Sequence, residues 1–98
     1  MIVSFRDKGT EDVYNGEDTK IARRTCPREI WRVAFRKLDM IEGAPVLSDL
    51  RTPRNNRLEK LSGNKVGQHS IRINDQYRIC FVWGEQGAED VEITDYHS

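Results

Sequence analysis

Two arginines, Arg72 and Arg78, flank a tight Asn74-Asp75 turn, Glu59 and Lys60 lie on a short run before them, and Tyr96-His97 follows the last apolar alternation of the chain. Together these side chains hold what is needed to break an RNA phosphodiester without a metal. A base must take the proton of the attacking 2′-hydroxyl, cations must hold the charge of the phosphorane, and an acid must protonate the departing 5′-oxygen. Arginine forks match phosphate oxygens in pairs. Histidine is the side-chain type whose unperturbed pKa suits proton transfer near neutrality, which singles out His97. Tyr96 can stack on a base or hydrogen-bond a phosphate, and Glu59 or Lys60 completes the group. The two histidines and two cysteines lack the spacing of a metal-ligand set. Termini usually fray with little consequence, so an apolar strand running on into Tyr96-His97 is expected to use them.

Each residue also has a plainer use. Arg78 could pair with a carboxylate such as Asp95, and Glu59 could bridge to Arg57 or Arg72. His69 shares the parity of the apolar residue Ile71, which favours a satisfied structural histidine over a catalytic one. Trp31 and Phe35, at helical spacing, are expected in the core.

Composition narrows the class. The 98 residues are 33% charged and 37% hydrophobic, with a mean hydropathy of -0.73. One small domain over residues 1–98, with one core and a charged surface, is the expectation. No run approaches a membrane span, and the opening is too short for a signal peptide, so a cytoplasmic protein is expected. Cys26 and Cys80 then read as buried thiols rather than a disulfide.

Zero net charge hides segregation. Residues 1–21 carry three basic and five acidic side chains, 22–78 carry thirteen and six, and 79–98 carry none and five. The middle segment can therefore make a local positive face that attracts phosphates. Along the long helix, the basic residues are expected to be a solvated surface.

Elements that would position these residues follow from periodicity. Ile2 to Phe5 reads as a first strand, Asp7 to Asn15 as a weak helix closed by Gly16, and the polar Glu17 to Thr25 as loop or frayed helix. Thr25-Cys26-Pro27-Arg28-Glu29 starts a helix with Ile30, Ala34, Leu38 and Ile41 on one stripe, stopped at Gly43-Ala44-Pro45. Val46 to Asn56 is an ordered connection containing a turn of helix. Strands follow at Arg57–Leu61, Gln68–Ile73, Tyr77–Trp83 and Asp90–Asp95, with turns short enough for an antiparallel meander. Helices first and sheet later indicate α+β.

Alternation sorts the sheet into two faces. Ile71, Ile73, Ile79, Phe81, Val91 and Ile93 share the face covered by helices. Ser70, Arg72, Arg78, Cys80, Val82, Thr94 and Tyr96 share the other, expected to be an open face and a site. Parity places His97 opposite to Tyr96 unless the chain turns.

Three blocks carry a resemblance: Asn56-Arg57-Leu58-Glu59-Lys60-Leu61-Ser62-Gly63, then Gly67 through Phe81 around Ser70-Ile71-Arg72-Ile73-Asn74-Asp75-Gln76-Tyr77-Arg78, and Val91-Glu92-Ile93-Thr94-Asp95-Tyr96-His97. With the opening Ile2-Val3-Ser4-Phe5-Arg6-Asp7-Lys8-Gly9, they resemble the HigB branch of the RelE-type toxins over nearly the whole chain. The resemblance implies a RelE-like (microbial RNase-like) fold, with an N-terminal strand and two helices on a mostly antiparallel sheet of four to five strands. It implies a bacterial type II toxin that enters the ribosomal A site and cuts mRNA there, with no cofactor. Free RNA is cut poorly in that family, as suits a modest catalytic set oriented by the ribosome. The implied partner is a HigA-type helix-turn-helix antitoxin, through which alone operator DNA is bound.

On that resemblance, Arg78, Tyr96 and His97 match the family's functional arginine and tyrosine-histidine pair, and Asp95 the acidic residue before it. Arg72 and Glu59 join them as catalytic candidates, while Lys60, Arg57, Lys65 and Arg54 are candidates for contacting RNA or the ribosome. Some members carry histidine in place of Glu59 and lysine in place of Ser62. Glu59 is then expected to serve as the base. A non-nuclease toxin of the same fold that poisons a protein such as gyrase, or a degenerate co-repressor module, is the alternative.

Overall fold

Asp7 opens the first helix, α1 (Lys8–Asn15), by accepting a hydrogen bond from the Thr10 amide at 2.7 Å, and Gly16 closes it in the left-handed region at φ 75°. The computed structural model describes residues 1–96; His97 and Ser98 lie outside the described residues. A second helix, α2 (Lys20–Thr25), occupies part of the polar stretch read as loop or frayed helix. Its composition conceals it, because Ala22 is its one buried side chain. Thr19 caps it, accepting from the Ala22 amide at 3.1 Å while donating to Asp12 at 2.7 Å.

The long helix begins with a 3-10 turn, Arg28–Ile30, and continues as α3 (Trp31–Gly43). Ala34, Leu38 and Ile41 are fully buried on the expected stripe. Two expectations fail on this helix. Phe35 is 42% exposed and stacks its ring on Tyr14 at 5.5 Å, because the helical stripe is already filled and α1 offers an aromatic at the surface. Lys37, expected on a solvated surface, is 7% exposed. Its amine instead donates to the side-chain oxygen of the fully buried Asn56, which in turn donates to the Leu50 and Thr52 carbonyls at 3.1 and 3.4 Å. This cluster holds the 3-10 turns Leu47–Arg51 and Arg54–Asn56 against α3, and so fixes where the next strand begins.

Four antiparallel strands follow in the order β1 (Glu59–Lys60), β2 (His69–Arg72), β3 (Tyr77–Gly84) and β4 (Gly87–Asp95). The meander is as expected, although β1 is shorter than the alternation suggested. β4 starts three residues earlier than read, because a bulge breaks its alternation. Cys80 pairs Glu92 and Val82 pairs Glu89, leaving an extra residue near Asp90, whose φ is 51°. That extra residue puts Ala88, Val91 and Ile93 all on the buried face.

The N-terminal segment runs parallel to β4 through isolated bridges at Ile2–Ala88 and Phe5–Val91, rather than as a regular strand. Gly87, at φ 139°, lets it approach: a Cβ there would lie 2.0 Å from the Met1 carbonyl oxygen. Thr10 from α1 accepts the Ile93 amide at 3.0 Å, so the outer edge of β4 is closed by local partners. The helix-facing side of the sheet supplies Ile71, Ile79, Phe81 and Val91, all fully buried with Leu38 and Ile41.

Leu38→Ala should lower stability by about 2–5 kcal/mol, the range for a buried leucine that leaves a cavity. Phe35→Ala should lose no more than about 1.5 kcal/mol, the scale of an aromatic pair. Denaturant midpoints measured at constant slope check both; equal losses would mean that Phe35 is packed in the core.

Candidate functional site

On the sheet face away from the helices, cross-strand register lines up Glu59, Ser70, Cys80 and Glu92 in one row, and Arg72, Arg78 and Thr94 in the next. Residues directly opposite on one face are close neighbours, so Arg72 and Arg78 would repel each other unless each had its own counter-charge. Each does. Arg72 pairs with Asp75 in the turn, and Arg78 Nη2 lies 3.0 Å from Glu59 Oε1. Arg78 therefore pairs with Glu59 rather than Asp95; Asp95 accepts a hydrogen bond from the Gln76 side chain at 3.1 Å. Glu59 bridges neither Arg57 nor Arg72 among the described residues.

Arg78 itself is 8% exposed, a buried guanidinium on a face where Tyr96 and the Glu59 side chain remain exposed. Its Nε donates to Ser70 Oγ at 2.8 Å, and its Nη2 donates to the Arg57 carbonyl at 2.6 Å and the Ser70 carbonyl at 3.3 Å. No hydrogen bond from Nη1 is found among the described residues. Arg57 holds the left-handed region at φ 45°, which turns its carbonyl onto the guanidinium. Ser70 is fully buried and does the same from β2. Parity had placed Ser70 on this face, but nothing in the sequence marked it as a guanidinium acceptor.

Tyr96 crosses the same face. Its amide donates to the Gln76 carbonyl at 2.6 Å, extending the β3–β4 pairing by one residue. Its hydroxyl lies 3.8 Å from the buried Cys80 Sγ, which donates to it. Tyr96 as a whole remains 39% exposed. Burial of the hydroxyl end, reinforced by the Cys80 contact, raises the phenol to about 12, so near neutrality it is a proton donor.

Arg57, Glu59, Arg72, Arg78 and Tyr96 line one cavity of about 340 Å³, with Asn74 and Asp75 at its rim. Of the proposed catalytic residues, Arg78, Tyr96, Glu59 and Arg72 are thus brought together, and His97 lies outside the described residues. Among the expected RNA-contacting residues only Arg57 joins them. Lys60 lines a different hollow with His69 and Arg51, Lys65 is ion-paired with Glu92 at 3.5 Å, and Arg54 is exposed on its 3-10 turn. His69 packs against Phe81 at 6.4 Å between ring centres, which suits a structural role. It is not the satisfied histidine expected, since its buried Nδ1 has no hydrogen-bond partner. Burial, then the charge of Lys60, holds its pKa below the ordinary range, so it is neutral at physiological pH.

The chain is similar to known proteins along most of its length. A family model described as the RelE-like toxin of the type II toxin-antitoxin system HigB matches residues 3–97. The chain is 46% identical to Toxin HigB-1 of Vibrio cholerae over 83 residues, covering 85% of this chain and 84% of that one. It is 34% identical to an uncharacterised protein of Haemophilus influenzae over 94 residues, covering 96% and 89%. Among solved structures, the YoeB-YefM complex from Staphylococcus aureus contains a chain of the same fold, with a TM-score of 0.60 at 17% identity over 100% of this chain and 97% of that one.

The tyrosines offer a direct check of the packing. Burial first, then Asp39, raises Tyr14 to about 12, and burial first, then Asp95, also raises Tyr77. A raised phenol pKa means the folded state holds its proton more tightly, so this contribution to stability is complete below about 10 and is lost as pH rises through the folded values. Alkaline absorbance titration should show none of the three tyrosines ionising at the ordinary 10.0. Cys80→Ala should bring one of them down and leave Tyr14 in place. An ordinary phenol in the parent protein would mean that one of the three is less buried than described.

Proposed function

The chain belongs to the HigB-type, RelE-like toxins of type II toxin–antitoxin systems, and from that premise we propose that it is a ribosome-dependent endoribonuclease, cutting mRNA in the ribosomal A site and neutralised by a HigA-type helix-turn-helix antitoxin. The observation that carries the reading is the cavity itself: an immobilised arginine, a second arginine, a solvent-accessible carboxylate and a protonated phenol share one hollow. That is a set for stabilising a phosphorane and moving protons around it.

In this mechanism Arg78 is held rigid by the Ser70 and Arg57 oxygens and directs Nη1 at the scissile phosphate. Charge that develops on the phosphorane meets a donor that needs no reorganisation. Arg72 supplies the second cation. Glu59, whose side chain is 59% exposed, takes the 2′-hydroxyl proton, and its contact with Arg78 fixes the distance between base and phosphate. Tyr96 donates its hydroxyl hydrogen bond to the phosphate or stacks its ring on a base. His97, the next residue in the chain, protonates the 5′-oxygen. A shallow cavity with a base already tied to an arginine is a modest catalyst. It gains most from a ribosome that holds the mRNA in line.

Mapped mRNA ends after induction test the reading: cuts at defined codon positions are expected. Growth arrest without such cuts would point to a protein target instead. Arg78→Ala and His97→Ala should each abolish cutting while antitoxin binding survives. Glu59→Gln should slow cutting by roughly 10²–10⁴, the usual share of a general base. Full toxicity in Glu59→Gln would remove it from that role.

A further inference from the structure

Lys37 is a buried cation with no counter-ion. Its Nζ donates to the side-chain oxygens of Asn55, at 3.3 Å, and Asn56. No carboxylate lies within ion-pair distance of it among the described residues. An ammonium has three N–H donors, so one is left over. Desolvation, then the positive charges of Arg36 and Arg72, holds its pKa below the ordinary lysine value. Pinning Asn56 needs a donor but not a charge, and a neutral donor would do it without the desolvation of an unpaired cation.

The three cations converge. Arg36, Lys37 and Arg72 line a cavity of about 180 Å³ with Asn55, Pro53 and Met40, and no acidic side chain lines it. Arg72 lines this cavity and the larger one at Arg78, so the two share a wall. Asp75, the partner of Arg72, belongs to the larger cavity only. A single strand whose phosphate sits at Arg78 has another phosphate one nucleotide away, and a hollow lined by positive charge beside Arg72 lies where it can be received.

We propose that Arg36, Lys37 and Arg72 form a second anion subsite, which holds an RNA backbone phosphate adjacent to the one in the Arg78 cavity. The proposal rests on the RNA-cutting reading above and deepens it. The occupied subsite supplies the missing counter-charge of Lys37, takes up its spare N–H, and fixes the register of the strand across the catalytic cavity. That strand is the mRNA; a ribosomal RNA phosphate, recognised by the same chemistry, is the other source that the test separates.

Two measurements on the intact protein test it. Titration with inorganic phosphate, followed by NMR of isotope-labelled protein, should shift the Asn55 side-chain amide saturably in the parent and not in Arg36→Gln or Lys37→Met. Arg36 is exposed, so its variant keeps the test valid if Lys37→Met fails to fold. Binding of a 2′-O-methylated oligoribonucleotide, which cannot be cut, should weaken roughly three- to tenfold in Arg36→Gln. The slope of log affinity against log salt should fall by about 0.7 for the lost phosphate. Arg28→Gln, an exposed arginine lining neither cavity, should change neither. Repeating the series with a hairpin copy of ribosomal decoding RNA shows whose phosphate is held, since the slope falls only for the RNA that occupies the subsite. Unchanged affinity and slope in Arg36→Gln with both RNAs, while Arg78→Ala still weakens binding, overturns the subsite and leaves the nuclease reading intact. RNA binding that is indifferent to Arg78 and Arg36 alike overturns both.

Discussion

A guanidinium cannot shed its charge, so burying one commits its surroundings to satisfying it. Arg78 makes that demand at the centre of the sheet, and three separate stretches answer it: Ser70 from β2, Glu59 from β1, and the carbonyl of Arg57 from the turn before β1. β1 is two residues long, and the Glu59 contact with Arg78 adds to the backbone pairing that holds it to β2. The left-handed backbone at Arg57 serves the same need, since it turns the Arg57 carbonyl onto Nη2. The edge of the sheet and the floor of the cavity are one set of contacts.

That demand couples the site to the helical layer. The segment delivering Arg57 and Glu59 carries Asn56, and Asn56 is fastened to Lys37 of α3. A displacement of α3 would therefore reach Arg78 through a short chain of polar contacts. The hydrophobic stripe of Ala34, Leu38 and Ile41 resists that displacement by anchoring α3 on the sheet. Packing on one face thus sets the geometry of charges on the other.

The alternation of Ile71, Ile73, Ile79 and Phe81 against Ser70, Arg72, Arg78 and Cys80 was legible because strand period is fixed by the backbone and these strands are regular. So were α1, through Asp7 and Gly16, and the buried stripe of α3. What was hidden depended on contacts distant in sequence. The start of β4 was masked by the bulge at Asp90, which breaks the period at the point where the N-terminal segment docks. α2 was legible only as loop or frayed helix, because its cap and its contact with Asp12 matter more than its composition. Phe35 is apolar at helical spacing but finds Tyr14 at the surface, and Lys37 is polar but finds Asn55 and Asn56 inside. Pairing of Arg78 with Glu59 instead of Asp95 is decided by register, which residue types alone do not give.

The docking of residues 1–6 beside β4 has a consequence for synthesis. Those residues are made before the helices and the sheet, yet their hydrogen-bond partners, Ala88 and Val91, are made only after β1, β2 and β3. Every other neighbour in the sheet is joined by a short hairpin that can close as it emerges. The growing chain thus carries an unsealed start until the tyrosine-bearing strand is out. Prematurely terminated chains lack both the seal and Tyr96, so an incomplete translation product is unfinished in its fold and in its cavity for the same reason.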